Sequence, residues 1–465
     1  MTIADTDLPF GWDEVAALLD RTVDLGADPP QTPFADVTAD VQRLGLPPGT
    51  PVIIALSNSR RLLEFYFAVL LTGGVPLAVS PATASARVAE LGRRVDAGAV
   101  IAARPDVARL GTARTVGGVP AVLLRPTGPG QPAGTALMLT SGTSGLFSAC
   151  LHRVDSLLRN ARRHAGAVGL RADDTVLVNL PLFYSYAVVA QAFAALATGA
   201  RLLVSGPPFS PAAYPGQLEE HEVTSSSITP TIARLLLHRG EKLPRGLRML
   251  TVGGDALAPR HVGRLLSALP DTELYVTYGL TEAGPRVSTL AAHREPEHRH
   301  GSVGLPLDGV RATLRDVAED GTGELLVHTD TALLARIGES ADERPPAGPG
   351  AVATGDRFRI DEDGYLHFAG RLSDFIVVRG EKVSLAAVRR YVQSLPGVLS
   401  CGTTVGPEPD GYADYTLDVR IDAAPDGDDG AQAQRIRRAV LSYLLPAERP
   451  RNLEIGRADP AAFRK

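Results

Sequence analysis

The stretch TPVIIALSNSRRLLEFYFAVLLTGGVPLAVS, residues 50–80, carries a strand–helix–strand pattern. TPVIIALS predicts a buried strand, SRRLLEFYFAVLLTGG predicts a helix that ends at a glycine pair, and VPLAVS predicts the next strand. The pattern continues with a helix over residues 83–98, TASARVAELGRRVDAG, and a strand over residues 99–103, AVIAA. Strands and helices that alternate at this spacing predict parallel, doubly wound α/β layers.

The same alternation returns in the middle of the chain. The segments are the strands DTVLVNLPLF (174–183), RLLVS (201–205) and LRMLTVGGDAL (247–257), and the helix YAVVAQAFAALATGA (186–200). Between the two regions, the Pro- and Gly-rich segment RPTGPGQPAG (125–134) predicts an exposed loop, because it can sustain neither a helix nor a strand ladder. We therefore expect a large α/β domain over roughly three quarters of the chain.

The character of the sequence changes near residue 300. Short strands separated by turns, GVRATLRD (309–316), GELLVHT (323–329) and RFRIDEDGYLHFAG (357–370), predict an antiparallel β subdomain. The remaining residues predict a small α+β unit with one long helix, AQAQRIRRAVLSYLL (431–445), which Pro446 ends. The acidic segment DAAPDGDDG (422–430) predicts a solvated turn before that helix.

Composition excludes several classes of protein. The chain has 465 residues, too many for one ordinary core, with 44% hydrophobic and 21% charged residues, as in a soluble globular protein. Its 47 basic and 52 acidic residues give a net charge of −5, which does not indicate a nucleic-acid surface. The start, MTIADTDLPFGWDEV, lacks a basic region followed by an apolar core, so we expect neither a signal peptide nor a membrane span. Only Cys150 and Cys401 are present, without metal-ligand spacing, which favours a cytoplasmic protein without disulfides or zinc.

Three short motifs carry chemistry, and the first is LTSGTSGLFSACLHR, residues 139–153. Its glycines and hydroxyls are Thr140, Ser141, Gly142, Thr143, Ser144 and Gly145. The segment is not a Walker loop, since GxxxxGK[ST] does not occur. Backbone amides of a Gly-rich turn and Ser/Thr hydroxyls can still hold phosphate oxygens. Taken alone, the segment predicts a phosphate-binding loop or an ordinary turn equally well.

The second motif, VTYGLTEAG, covers residues 276–284. Thr281 and Glu282 bring a hydroxyl and a carboxylate together at the end of a predicted strand. This pair suits a phosphate contact and a Mg²⁺ ligand, because magnesium prefers one or two carboxylates plus phosphate oxygens. The alternative is that Thr281 and Glu282 simply cap a helix.

The third motif, ATGDRFRIDEDGYLHFAGRLSDFIVVRGEKVS, covers residues 353–384. Asp356 and Arg371 are spaced as if they stood at the two ends of a β-hairpin. A carboxylate suits vicinal ribose hydroxyls, and a guanidinium suits phosphate or ribose oxygens. The alternative is a surface hairpin with an exposed salt bridge.

In this order and at these separations, the three motifs resemble the adenylate-forming superfamily: acyl- and aryl-CoA synthetases, firefly luciferase and the adenylation domains of nonribosomal peptide synthetases. Residues 140–145 match its phosphate loop, and LPLFYSYAVV (180–189), SVGLPLDGV (302–310), GELLVH, YGLTE, TGD and GRLSDFIVVRGEKVS resemble its other segments. The resemblance covers nearly the whole chain. It implies a large domain over residues 1–370 and a small mobile domain over 371–465, joined by a hinge at 371–374.

The resemblance also implies a reaction and assigns residues to it. Members use ATP and Mg²⁺ to convert a carboxylate into an acyl-adenylate, whose carbonyl is then attacked by a thiol of coenzyme A or of carrier-bound phosphopantetheine, or by an amine. By match to the family's motifs, Tyr278, with Gly279 beside it, is predicted to stack on adenine, Thr281 to contact the α-phosphate and Glu282 to bind Mg²⁺. Asp356 is predicted to bind the ribose, and Arg371 to contact the ribose or a phosphate. Gly253 and Gly254 are predicted to let the backbone approach the nucleotide and the acid closely. The late catalytic lysine of the family falls on Lys465.

Some positions depart from the family pattern. The loop lysine is replaced by Ser148, with Phe147 and Ala149 on either side, which removes a cation expected to hold pyrophosphate. The hinge position is Ser373, followed by Asp374. Lys465 is one residue short of the usual spacing, and a solvated terminus is the alternative interpretation of it.

The acid pocket is predicted at Tyr184, Ser185 and Tyr186, with Gly253 and Thr277. Relatives that activate amino acids carry an Asp in this segment, and here there is none, so an α-amino acid is disfavoured and an aryl or aliphatic acid fits better. The alternative is that the tyrosines are core aromatics. We expect a small-molecule acid as substrate, and an acyl or peptidyl carrier protein is the candidate protein partner. An amide-forming ligase and a degenerate nucleotide-binding relative remain alternatives to the thioester-forming enzyme.

Overall fold

The computed structural model describes most of the chain, with several short gaps. The described residues are 8–25, 32–83, 85–139, 149–206, 209–337, 348, 350–372, 375–378, 381–407, 413–422, 428–444 and 448–458. No helix within these ranges is both long and apolar enough to cross a membrane.

The N-terminal part alternates strands with helices. Its strands are β1 (Thr22–Asp24), β2 (Pro51–Ala55), β3 (Val75–Ala78), β4 (Ala99–Ala102), β5 (Thr112–Val116), β6 (Val119–Leu123), β7 (Thr135–Leu139) and β8 (Ala149–Arg153). Its helices are α1 (Trp12–Asp20), α2 (Phe34–Arg43), α3 (Arg60–Leu71), α4 (Ser85–Arg94) and α5 (Val107–Leu110). Strands β7, β3, β2 and β4 are neighbours and run parallel, whereas β8, β6 and β5 run antiparallel to their partners. The predicted parallel α/β layering is therefore confirmed for this region.

The β2–α3–β3 unit forms because each of its boundaries carries a local signal. Ser59 is the N-cap of α3, and its side chain accepts a hydrogen bond from the backbone N–H of Leu62 at 3.1 Å. Every residue of β2 is buried, as are all residues of α3 from Leu62 onward. The rings of Tyr66 and Phe67 meet that of Phe193 with centroids 6.3 and 5.8 Å apart, and they join this layer to the next one.

The middle of the chain builds a second sheet. Its helices are α6 (Val154–Val168), α7 (Ser185–Ala187), α8 (Ala194–Thr198), α9 (Tyr214–Glu220), α10 (Pro230–Arg239) and α11 (Pro259–Ala268). Its strands are β9 (Thr175–Val178), β10 (Arg201–Val204), β11 (Ser225–Ile228), β12 (Met249–Gly253), β13 (Glu273–Gly279), β14 (Arg286–Ala291) and β15 (Leu305–Pro306). The order is β1-β10-β9-β11-β12-β13-β14-β15, parallel as far as β13 and antiparallel beyond it.

One predicted helix of this region is divided. Over residues 186–200 the structure has α7, a π-helical turn at Val188–Phe193 and then α8, which ends at Gly199 with a φ of +85°. A π-turn holds one more residue than an α-turn and shifts the register of the side chains that follow. The π-helical turn begins at Val188, two residues after Tyr186 of the predicted acid pocket.

The antiparallel subdomain follows as predicted. Its strands are β16 (Val310–Arg315), β17 (Gly323–Thr329), β19 (Ala351–Ile360) and β20 (Leu366–Arg371), in that spatial order. The intervening β18 (Ala335–Ile337) leaves this sheet and pairs with β8 at the edge of the N-terminal sheet. Strand β18 therefore brings the antiparallel region into contact with the end of the phosphate-loop segment.

The C-terminal residues contain an α+β unit with its own apolar cluster. Its elements are β21 (Phe375–Val378), β22 (Glu381–Ser384), α12 (Leu385–Gln393), β23 (Val398–Pro407), β24 (Ala413–Ile421), α13 (Asp429–Tyr443) and β25 (Asn452–Arg457). Helix α13 begins two residues earlier than predicted because Asp428 caps it, accepting from the backbone N–H of Ala431 at 2.8 Å. Arg234 of α10 donates to the carbonyl oxygen of Leu399 at 3.3 Å, which joins this unit to the second sheet.

Candidate active site

The carboxyl ends of β12 and β13 form the floor of the candidate site. Gly253 is paired with Thr277 in the parallel ladder, and a Cβ on Gly253 would lie only 2.4 Å from the Thr277 hydroxyl. Gly254 follows with a φ of +95°, a conformation that favours glycine. A Cβ on Gly279 would lie 2.1 Å from the carbonyl oxygen of Pro285. Close backbone approach explains why glycine occupies Gly253 and Gly279, and the open end of the sheet is where α/β folds bind ligands.

The YGLTE turn touches the predicted acid pocket directly. Thr281 opens a short 3₁₀ turn, Thr281–Ala283, so the Thr-Glu pair neither caps an α-helix nor lies in a strand. The hydroxyls of Thr281 and Ser185 share a hydrogen bond of 2.9 Å, although the two residues are far apart in sequence. The structure thus brings together a predicted α-phosphate contact and a predicted acid-pocket residue.

The two tyrosines of the predicted pocket have different environments. The Tyr186 hydroxyl shares a hydrogen bond of 3.0 Å with Thr251, and its ring lies 3.3 Å from where a Cβ on Gly253 would stand. Tyr184 packs on Phe183 with ring centroids 4.7 Å apart, and burial raises the pKa of its phenol. Both rings also pack against the main apolar cluster, so the core-aromatic interpretation describes part of their role.

The predicted adenosine residues meet in space. The Tyr278 hydroxyl donates to Asp356 Oδ2 at 2.7 Å, and its ring stands edge-on to Phe358 with centroids 4.8 Å apart. Asp356 is only 6% exposed. In the β19–β20 hairpin, Asp356 is paired with Arg371, as the sequence predicts, although the Arg371 side chain lies outside what the structure describes.

Glu282, the predicted metal ligand, is held by an arginine that the sequence analysis did not single out. Arg336 Nη2 lies 2.9 Å from Glu282 Oε1, with side chains 19% and 13% exposed. Arg336 stands opposite Cys150 in the β18–β8 ladder, and β8 begins directly after Ser148 in sequence. Arg336 is therefore a cation on the strand that pairs with β8, whose first residue follows Ser148, the predicted loop-lysine position, in sequence.

A second unpredicted cation lies beside the predicted acid pocket. Arg286, the first residue of β14, is 3% exposed, and Nη1 donates to the Thr277 hydroxyl at 3.0 Å. Its guanidinium carbon lies 4.2 Å from the centre of the Tyr186 ring. In sequence, the only signal for it is an arginine directly after the YGLTEAGP turn, and such a position also suits an exposed strand end.

A buried histidine lies behind the turn. His152 of β8 is fully buried near the backbone of Thr281 and Thr331. Burial lowers its pKa to about 4, so the ring is neutral at pH 7. His152 therefore packs beneath the YGLTE turn without adding charge to it.

Several predicted site residues lie outside the described residues. They are Thr140, Ser141, Gly142, Thr143, Ser144, Gly145, Phe147, Ser148, Ser373, Asp374 and Lys465. Their predicted roles stay predictions.

The described residues could bind a magnesium ion only if a bound nucleotide supplied further ligands. In the ranges that the structure covers, no group of three or more His, Cys, Asp or Glu side chains could hold a metal ion. Glu282 at the strand end offers a single carboxylate, which suits Mg²⁺ that takes its other ligands from phosphate oxygens and water.

Comparisons with known proteins agree with the geometry. Residues 39–334 match the family model of the AMP-binding enzymes. Salicyl-AMP ligase / salicyl-S-ArCP synthetase of Mycobacterium tuberculosis is 28% identical over 424 residues, which cover 83% of this chain and 73% of that protein. Sulfoacetate–CoA ligase of Cupriavidus necator is 30% identical over 359 residues, which cover 74% of this chain and 69% of that protein.

Among solved structures, the anthranilate–CoA ligase AuaEII in complex with anthranoyl-AMP shares the fold. Its TM-score is 0.76 at 18% identity, with 98% of this chain and 95% of that chain covered. The family match spans more than half of the chain and includes both the YGLTE turn and the phosphate-loop segment. The chain therefore belongs to the AMP-binding enzymes, the adenylate-forming superfamily of acid ligases, as the order of its motifs predicts.

Proposed function

We propose that this protein activates a small carboxylic acid with ATP and then transfers the acyl group to a thiol. In the first step a carboxylate oxygen attacks the α-phosphorus of ATP, and the bond from that phosphorus to the pyrophosphate oxygen breaks. In the second step a thiolate of coenzyme A or of carrier-bound phosphopantetheine displaces AMP from the acyl-adenylate. One observation carries the proposal: the YGLTE turn contacts the acid-pocket helix through Thr281 and the TGD hairpin through Tyr278.

The proposed roles follow from charge and shape. The first step joins two anions, so catalysis requires positioning and neutralisation of charge. Tyr278 would offer its ring to adenine, and Asp356 would accept from ribose hydroxyls. Thr281 would donate to the α-phosphate, and its hydrogen bond to Ser185 would align that contact with the acid.

The negative charge on the pyrophosphate must be neutralised by cations. Because the family's loop lysine is absent, other cations must take its place. We assign to Glu282 the role of Mg²⁺ ligand. When bound, the ion would neutralise charge on the phosphate oxygens. Arg336 would compensate in part for Ser148, because its guanidinium lies beside Glu282 and its strand pairs with the strand that leaves the phosphate loop. A guanidinium binds phosphate oxygens well, often through two hydrogen bonds.

The names of two relatives indicate which classes of acid and acceptor to consider. One relative's name indicates an aromatic hydroxy acid and a carrier protein, and the other indicates a sulfonated acid and coenzyme A. An aryl or aliphatic acid suits the predicted pocket better than an α-amino acid, since Tyr184 and Tyr186 would line it and its described residues include no carboxylate to pair with a substrate ammonium. Transfer to an amine is the alternative second step.

The test of the function is ATP–pyrophosphate exchange across aryl, aliphatic and amino acids. Exchange with at least one non-amino acid supports the proposal. ATP binding without exchange for any acid would instead favour a degenerate nucleotide-binding relative. Adding coenzyme A, a holo-carrier protein or amines to an exchanging acid then identifies the acceptor.

The proposal extends to the C-terminal residues. Rotation of the part beyond a hinge at 371–374 would present Lys465 in the first step, and Gly380 and Lys382 in the second. Lys465→Ala should slow adenylate formation but leave thioester formation from preformed adenylate intact. An unchanged exchange rate would remove Lys465 from the mechanism.

A further inference from the structure

Arg286 is a buried cation whose charge is not balanced by a neighbouring carboxylate. It is 3% exposed, and among the described residues no Asp or Glu oxygen lies within 4.0 Å of its guanidinium. Its Nε is buried without a hydrogen-bond partner, and Nη1 reaches only the neutral hydroxyl of Thr277. A desolvated charge in this state is costly unless a partner pairs with it.

Asn160 holds the backbone of Arg286 in place, and the described side chains around the guanidinium add no negative charge. Its backbone N–H donates to Asn160 Oδ1 at 2.9 Å, and Asn160 Nδ2 donates back to its carbonyl oxygen at 2.9 Å. Burial, with the charge of Arg286 adding to it, lowers the pKa of nearby His164 to about 3, so that ring is neutral at pH 7. Tyr186 offers only the face of its ring to the guanidinium.

Two buried carboxylates among the described residues have arginine partners, whereas Arg234, which is 6% exposed, has no described carboxylate within 4.0 Å and donates instead to the carbonyl oxygen of Leu399 and the hydroxyl of Thr231. Asp174, 2% exposed, lies 2.5 Å from Arg248, and Glu64, fully buried, lies 3.0 Å from Arg60. Arg286 differs from Arg234 in that it contacts two residues of the predicted acid pocket: Nη1 donates to the Thr277 hydroxyl at 3.0 Å, and the guanidinium carbon lies 4.2 Å from the centre of the Tyr186 ring. The missing partner can therefore arrive with the substrate.

The partner is best supplied by a group that does not react. The attacking carboxylate loses its charge when it becomes the acyl-adenylate, and pairing with it would leave Arg286 unbalanced in the intermediate. A second anionic group keeps its charge through adenylation and thioester formation. It also leaves the attacking carboxylate outside a salt bridge that would weaken it as a nucleophile.

We propose that the substrate is a carboxylic acid with a second anionic group, such as a dicarboxylic acid, and that Arg286 binds this second group. The inference rests on the acid-activating function proposed above and names its substrate class. Arg286 is then the specificity-determining residue of the pocket, with the Thr277 hydroxyl orienting its guanidinium and Asn160 fixing its backbone.

The experiment compares acids that differ by one carboxylate: benzoate against the three benzenedicarboxylates, and propionate against succinate. In ATP–pyrophosphate exchange, the wild type should favour a dianionic member in kcat/KM by about tenfold or more. In Arg286→Met the ratio of dianionic to monoanionic kcat/KM should fall about 100-fold, and Arg286→Lys should retain part of it. As a matched control, Arg294→Met removes an exposed arginine three residues beyond the same strand and should leave the ratio unchanged.

A wild type that prefers the monoanionic member of every pair overturns the inference, as does an Arg286→Met ratio equal to the wild type's. Thermal stabilisation of the wild type by each acid gives a second readout that needs neither turnover nor a folded variant. Greater stabilisation by a dianionic acid than by its monoanionic partner supports the inference, and equal stabilisation opposes it. Absence of exchange with every acid counts against the proposed function, while the stabilisation comparison still decides the role of Arg286.

Discussion

Replacing Arg336 by methionine tests how this protein manages without a loop lysine. The side chain of methionine is apolar and flexible, so Arg336→Met removes the guanidinium and leaves Glu282 with its charge. The ion pair that is lost has a separation of 2.9 Å and side chains 19% and 13% exposed. The change therefore removes one cation from the predicted phosphate site without altering any residue that matches a family motif.

The expected magnitude follows from this partial burial. Charge-assisted hydrogen bonds contribute about 1.5–3 kcal/mol, and some exposure of both side chains places this one near the lower end. We therefore expect a loss of about 1–2 kcal/mol of unfolding free energy. If Arg336 also contacts the phosphates, ATP binding weakens by a similar amount, and KM for ATP rises about tenfold.

The assay is ATP–pyrophosphate exchange at a saturating concentration of acid, with urea unfolding measured alongside. Arg299→Met is the matched control, since Arg299 is 18% exposed and lies 2.6 Å from Asp363, outside the residues assigned to the site. Arg336→Lys should retain most of the affinity for ATP. Adding Ser148→Lys to Arg336→Met should restore part of it, because lysine then returns at the family's position.

A KM for ATP that changes no more in Arg336→Met than in Arg299→Met would contradict a role for Arg336 in ATP binding. The Arg336–Glu282 pair would then be structural only, and the loop would have to hold pyrophosphate through backbone amides and hydroxyls alone.

Three other perturbations have defined outcomes. Tyr278→Phe removes the donor to the buried carboxylate of Asp356, so ATP affinity in the exchange assay should fall by about 1–2 kcal/mol; an unchanged KM for ATP would contradict this. Gly279→Ala places a Cβ 2.1 Å from the carbonyl oxygen of Pro285, so unfolding stability and exchange should both fall, and wild-type values of both would show that the turn can shift freely. His152 stays neutral when folded down to a pKa of about 4 but takes up a proton near pH 6.5 when unfolded. Unfolding free energy should therefore fall by about 2 kcal/mol from pH 7.5 to pH 5, and His152→Gln should reduce this dependence.

Local parts of the fold could be predicted because their signals are local. The strand β2 and the end of α3 at a glycine pair each depend on neighbouring residues, and the structure confirms both. The hairpin that pairs Asp356 with Arg371 could be predicted for the same reason, since a turn fixes its register.

Contacts between segments that are far apart in sequence could not be predicted from local sequence patterns. The meeting of Tyr278 with Asp356, and of Ser185 with Thr281, was implied by the resemblance and could not be derived from spacing. The pairing of β18 with β8, which sets Arg336 near the phosphate-loop segment, was not predicted at all, because a three-residue strand carries almost no signal. The π-turn after α7 was missed because an extra residue in a helical turn leaves the apolar pattern of an alanine-rich helix almost unchanged.

The buried charge of Arg286 gives a second reason why the predicted pocket disfavours α-amino acids. From the sequence, an α-amino acid is disfavoured because an aspartate is absent, and this argument leaves neutral acids and acidic ones equally acceptable. The structure adds a buried guanidinium beside Tyr186, with His164 neutral behind it, so the pocket is positive rather than merely uncharged. At about 4 Å and an effective dielectric constant of about 20, two unit charges interact by about 4 kcal/mol. An ammonium group in this pocket is therefore repelled and an anionic group attracted. The positive charge of Arg286 thus favours acids with a second anionic group over amino acids.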